Sequence, residues 1–234
     1  MQPDISFLLV TKRPILEFAA KVIENIHESA KGLNYEILIY SPTEVGGEHI
    51  RWFKEKTFDG CVSGFNFLAK QALGKYVTTT VDDHGYHFYM DRALHFLESR
   101  FYEDRKIRIC AVATGGNTCI PSPSRPHDQG IVPHILENNI RILGFPVINR
   151  QDCIDHMSGH IFNPKFRHHW GDNWLPYWLW RISEPHYECP NTPFYSLPNS
   201  GPQSFIEHDK RDFDVFCESI KDLEVNNKQG YVNE

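Results

Sequence analysis

The stretch Gly74-Lys75-Tyr76-Val77-Thr78-Thr79-Thr80-Val81-Asp82-Asp83-His84-Gly85-Tyr86 is a β-rich run that ends in two carboxylates and an imidazole. In open α/β sheets ligands bind beyond the carboxyl ends of the strands. Oxygen and nitrogen donors gathered there suggest a divalent cation and a phosphorylated substrate. Asp and Gly also dominate turns, so Asp82-Asp83-His84-Gly85 reads equally as the bend after a strand. The flanking sequence has to separate the two readings.

Upstream, Ile5-Ser6-Phe7-Leu8-Leu9-Val10 reads as a buried strand, with Pro14 placed to open a helix. Ile15, Phe18, Ala19, Val22, Ile23 and Ile26 recur at helical spacing, and Gly32 is a suitable stop. Tyr35 to Tyr40 predicts a second strand that ends at Ser41-Pro42. A helix is expected from about Ser63 to Leu73, closed by Gly74. Downstream, Met90, Leu94, Leu97 and Phe101 mark a helical stripe, and Ile107 to Ala113 a further strand. This β-α-β-α order predicts an α/β fold, a mainly parallel sheet with helices on both faces. Thr11, Ser41 and Asp82 follow three strand ends and are expected to converge on one edge.

The second half is less periodic. From Gly115 to about Gly130 the chain is rich in Gly, Pro, Ser and Asn, the composition of a long loop rather than a domain linker. Ile140 to Ile148 reads as a strand. A polar, aromatic region from His156 to Pro185 holds Trp170, Trp174, Tyr177, Trp178 and Trp180, assigned to the core in preference to a sugar-binding surface. Phe213, Phe216, Ile220 and Leu223 predict a last helix from about Asp209, and residues after Asn226 read as a frayed tail.

The chain of 234 residues, 41% hydrophobic and 23% charged, has the composition of a globular domain with a sizeable core. A net charge of -6 without a Lys/Arg cluster argues against a nucleic-acid partner. Met1-Gln2-Pro3-Asp4 lacks a basic leader, the apolar run Ile5 to Val10 is too short for a signal peptide, and no stretch is long enough to span a bilayer. The 6 cysteines include no C-x-x-C pair, which suits a reducing compartment and argues against thiolate zinc. The expectation is a soluble cytoplasmic protein, able to work peripherally at a membrane surface on a lipid-linked substrate.

Neither G-x-x-x-x-G-K-[ST] nor a strand-linked G-x-G-x-x-G occurs, which leaves a metal as the means of neutralising a diphosphate. In Gly171-Asp172-Asn173, Asp172 is either part of a helix start, where a short polar side chain caps free N–H groups, or a general base. Of the 13 histidines, adjacent His168 and His169 would point to opposite faces of an extended segment. His208, just before the last helix, is the better placed to fold across the metal edge, although on sequence alone such a histidine is more often at the surface.

Thr11-Lys12-Arg13-Pro14 after the first strand, then Gly64-Phe65-Asn66-Phe67-Leu68-Ala69-Lys70-Gln71-Ala72-Leu73-Gly74-Lys75-Tyr76 leading to Val81-Asp82-Asp83-His84, resembles the family-2 glycosyltransferases of the GT-A fold. The resemblance runs over roughly the first 105 residues, and its most specific part is Asn66 to His84. It implies a single domain over 1–226, with a nucleotide-binding half (1–113), an acceptor-side half (114–226) and a tail at 227–234. The implied activity is transfer from a nucleotide-diphosphate sugar to a glycan, lipid-linked or protein acceptor, with Mn²⁺ or Mg²⁺ as cofactor. Asp83 would ligate the metal, with His84 and His208 as further ligands. Thr11, Ser41, Asn66 and Asp82 would hold the nucleotide sugar.

By the same resemblance Gly159-His160-Ile161-Phe162-Asn163-Pro164 is similar to the acceptor-side glycine segment, and Asp172 to the catalytic base of a Glu-Asp motif. Such a base implies in-line displacement and inversion. The chain departs from the family at Ser41-Pro42-Thr43-Glu44, where a base-reading acid is usual, at His84 in place of Asp, and at Gly171 in place of the first acid. Two other classes fit parts of the pattern: a nucleotidyltransferase, for which the glycine-rich triphosphate loop is missing, and an inactive sugar-nucleotide-binding or interaction domain.

Overall fold

A computed structural model describes residues 1–12, 19–56, 59–82, 84–99, 102–112, 143, 145–168, 171–184, 187–192, 194–196 and 206–226. The expected helix start at Pro14, the loop after Gly115, the strand positions 140–142, His169, Trp170, Asp83 and the tail after Asn226 lie outside these.

The elements in chain order are β1 (Ile5–Val10), α1 (Ala19–Ser29), β2 (Tyr35–Ser41), β3 (Ile50–Lys54), α2 (Cys61–Gln71), β4 (Tyr76–Thr80), β5 (His84–Tyr86), α3 (Asp91–Leu97), β6 (Ile109–Val112) and β7 (Pro146–Asn149). There follow α4 (Arg150–Met157), α5 (Gly171–Arg181), β8 (Tyr187–Cys189), β9 (Phe194–Ser196) and α6 (Ile206–Asn226). A 7-stranded sheet has the order β3-β2-β1-β4-β7-β6-β8, and β5 pairs with β9 in a separate ribbon. Only β7 runs against the others, antiparallel to both β4 and β6. The sheet is therefore mainly parallel, as the strand-helix alternation predicts.

Side chains alternate across a strand, so an unbroken apolar run needs cover on both faces. Ile5, Phe7 and Leu9 of β1 pack with α1 and α3 in one core, while Leu8 and Val10 pack with α2, α4, α5 and α6 in the other. The apolar positions read in α1 (Ala19, Val22, Ile23 and Ile26) are its buried face. Trp174 and Trp178 are buried and stacked, with ring centroids 5.9 Å apart and planes 8° from parallel. Those two tryptophans belong to the core.

Gly74 acts differently from the helix stop expected of it. The α2 helix ends at Gln71, and a Cβ on Gly74 would meet the Ser6 backbone nitrogen at 2.6 Å. Its N–H donates to Ser6 Oγ at 2.9 Å, so close approach to β1 is what requires glycine. Among the described residues no helix is long and apolar enough to cross a membrane.

Candidate functional site at the carboxyl edge

Register brings the ends of three strands level. Val10 lies opposite Tyr40, and Leu9 opposite both Ile39 and Thr80. Thr11 and Asp82 then stand just beyond the sheet, both buried, and Thr11 Oγ1 donates to Asp82 Oδ2 across the gap between β1 and β4. The Thr11 N–H donates to Tyr40 O at 3.2 Å, which continues the β1–β2 ladder past the strand. The chain does turn at Asp82, and His84 opens β5 opposite Ser196. The turn reading of the Asp82 to His84 segment is thus met at Asp82. The His84 ring lies 5.3 Å from that of Phe145.

Ser41 reaches the same edge but has no exposed surface. Its hydroxyl donates to Thr43 O at 2.7 Å and accepts from Trp52 Nε1 at 3.2 Å. Its carbonyl accepts from the Glu55 N–H at 3.0 Å. These bonds shape the loop after β2.

Asn66 is likewise committed to the scaffold. Its Oδ1 accepts from the N–H groups of Ile161 (3.0 Å) and Phe162 (3.1 Å), and its Nδ2 donates to Phe162 O at 2.8 Å. Both acceptor positions of the carboxamide are thus used on one segment of the second half. In these contacts Asn66 acts as a clamp between the halves of the chain.

That clamp is the middle of a longer seam. A Cβ on Gly159 would touch Lys70 in the last turn of α2, Ile161 and Phe162 meet Asn66 at its centre, and Arg167 and His168 meet its start. There the Val62 N–H donates to Arg167 O at 3.0 Å, and Cys61 Sγ to His168 O at 3.3 Å. Gly60, at φ 91, packs so closely that a Cβ would stand 2.0 Å from Arg167 O. Residues 159–168 therefore run back along α2 toward its start. That end of α2 lies at the carboxyl edge, because a Cβ on Gly64 would press on Val10 and Tyr40 at 2.9 and 3.2 Å. The next element is α5, with Asp172 in its first turn.

Asp172 is half-buried, and its charge is felt at Cys61. Burial above all, then the carboxylates of Asp172 and Asp212, push that thiol up to about 12. Asp212 is fully buried on α6 and was not singled out by the sequence pattern. It accepts from the His168 N–H at 2.7 Å, from the Arg167 N–H at 3.1 Å and from Arg211 Nη1 at 2.6 Å. Nothing in the run Asp209-Lys210-Arg211-Asp212-Phe213-Asp214 marks which acid turns inward. His208 is in the first turn of α6, four positions before Asp212.

The described residues contain no group of three or more His, Cys, Asp or Glu side chains able to hold a metal. Asp83 and the side chain of His208 lie outside them.

No protein-family model and no curated protein sequence matches the chain. Solved structures do. A mannosyltransferase from Pyrobaculum calidifontis, in complex with GDP-Man and Mn²⁺, superposes with a TM-score of 0.60 at 12% identity, over 95% of this chain and 65% of that one. TarS of S. aureus, residues 1–349 with UDP, gives 0.57 at 9% identity, over 97% of this chain and 68% of that one. This chain is thus about two thirds as long as the mannosyltransferase it matches. What it shares with these structures is the fold: the mixed α/β, mainly parallel sheet architecture of solved glycosyltransferases.

Proposed function

We propose that the chain transfers a sugar from a nucleotide-diphosphate donor to a hydroxyl of a glycan, lipid-linked or protein acceptor, with inversion, as a GT-A enzyme akin to family 2. The observation that supports this most is the meeting of two independent pieces at one sheet edge. One is the Thr11–Asp82 pair beyond β1 and β4, and the other is the start of α5 with Asp172, delivered there by the seam along α2. The two solved structures of this fold hold GDP-Man with Mn²⁺ and UDP, which puts GDP- and UDP-sugars first among candidate donors.

In this reading Asp82, fixed by Thr11, orients the donor, while Ser41 and Asn66 act by shaping the edge. Asp172 takes the proton of the acceptor hydroxyl as that oxygen bonds to the anomeric carbon, and the bond to the diphosphate oxygen breaks with its electron pair. Attack opposite the leaving group inverts the centre. Asp83, His84 and His208 would hold the cation, and a carboxylate with imidazoles suits Mn²⁺ better than Mg²⁺. When bound, such an ion supplies positive charge to the departing diphosphate.

The test is thermal stability of the purified chain with UDP-, GDP- and CMP-sugars, with and without Mn²⁺, followed by product anomer analysis. One donor class is expected to raise the melting temperature, only with Mn²⁺, and the gain is expected to vanish in Asp83→Ala. A gain unchanged by that substitution overturns the metal site, and a retained anomeric configuration overturns the in-line mechanism.

A further inference from the structure

The opposite edge of the sheet carries a second concavity, a cleft of about 390 Å³ between the last turn of α2 and α4. Val77 in its wall stands five residues before Asp82, roughly 16 Å away at about 3.3 Å per residue. The cleft is therefore separate from the carboxyl edge.

Two cations line it, Lys70 and Arg150. Among the described residues neither forms an ion pair, and Arg150 Nε is buried with no acceptor. The nearby acids are engaged elsewhere. Asp152 accepts from Arg108 through both oxygens at 3.0 Å, and Asp155 accepts from Gln151 at 2.8 Å. In the last turn of α2, Lys70 complements the helix dipole, which accounts for one charge. It leaves the buried Nε–H of half-exposed Arg150 unexplained, and an unmet buried donor is costly unless an acceptor completes it.

A guanidinium beside an ammonium is phosphate-recognising chemistry, the first through its planar fork and the second as a point charge. The rest of the wall, Ala69, Val77, Cys153 and Ile154, is apolar, so it suits a ligand with an apolar body. Ser158 and Gly159, at φ 54 and 72, complete the rim with a left-handed turn.

We infer that this cleft binds a small organic phosphate, with its phosphate between Lys70 and Arg150 and its apolar body against Val77 and Ile154. The inference does not depend on the glycosyltransferase reading.

Calorimetric titration of the full chain with phenyl phosphate tests it, with inorganic phosphate as the comparison. Saturable binding of phenyl phosphate is expected, tighter than that of inorganic phosphate. It should weaken about tenfold or more in Lys70→Gln and in Arg150→Gln, the loss expected for a charge-assisted hydrogen bond. Asp82→Ala, at the other edge, should leave it unchanged. The absence of saturable binding overturns the inference, as does affinity that survives both substitutions or is lost in Asp82→Ala. Inorganic phosphate binding as tightly as phenyl phosphate overturns the apolar part of the assignment.

Discussion

Leu143 donates its backbone N–H to the carbonyl oxygen of Asp172 at 3.1 Å, and Pro176 explains why that oxygen is available. Pro176 lies inside α5, four residues after Asp172, and has no N–H to return to the preceding turn. The buried Leu143, just ahead of β7, supplies the missing donor. The turn that carries Asp172 is thereby tied to the central sheet as well as to its own helix.

Restoring the helical donor should loosen that tie. In Pro176→Ala the new N–H competes for the Asp172 carbonyl, and the Leu143 amide should lose about tenfold or more in hydrogen-exchange protection, the equivalent of one hydrogen bond. Protection at Leu143 equal to that of the parent chain would show that the bond is incidental.

Asp172 can be tested by two independent signals. Asp172→Asn should cut transfer by about 10²–10⁴-fold, the usual contribution of a general base, with donor binding retained. It should also remove one of the charges that hold the Cys61 thiol up to about 12, so more thiolate forms and alkylation by iodoacetamide at alkaline pH speeds up. A thiol held above its ordinary 9.0 contributes stability that is full below that pH and lost as pH rises toward about 12. Cys61→Ser should therefore keep its stability at alkaline pH where the parent chain loses it. An unchanged alkylation rate in Asp172→Asn would contradict the proximity of the two groups.

Asn66→Ala should cost about 2–4 kcal/mol in urea denaturation, since it strands the buried N–H groups of Ile161 and Phe162. The loss should appear whether or not a donor is present. A cost under about 0.5 kcal/mol would remove the clamp from the account of how the halves are joined.

Thr11→Val keeps the side-chain shape and deletes the donor to Asp82. It should raise the donor KM about 5–50-fold, with a smaller effect on kcat, because the carboxylate is left without the group that orients it. Steady-state kinetics with varied donor would show this, and an unaltered KM would count against Asp82 as a donor-orienting group.

The first half was legible because its strands and helices carry strong, opposite periodicities. Ile5 to Val10 is apolar except at Ser6 and buried on both faces, and α1 shows a clean helical stripe. The edge strand β3, Ile50-Arg51-Trp52-Phe53-Lys54, passed unread because an edge that is only half-buried places no alternation on its sequence. In α5 the apolar residues surround the helix and Pro176 interrupts it, so no single face stands out. The α4 helix is short and mostly polar, with its start marked by Asn149, whose side chain accepts from the N–H groups of Gln151 and Asp152.

The layer order of the fold, and the strand end at which Thr11 and Asp82 stand, follow from hydrophobic period and chain direction alone. The hydrogen-bond partner of each buried polar side chain came from packing between distant segments. Asn66 and Asp82 both read as nucleotide-side residues, yet the first is spent on the backbone of Ile161 and Phe162 and the second is held by Thr11 at the sheet edge. Asp212 was one acid among several in its helix until packing turned it against Arg167 and His168. Periodicity records which face is buried, whereas the partners of Asp212 and Asn66 lie 45 and 95 positions away, which no local pattern encodes.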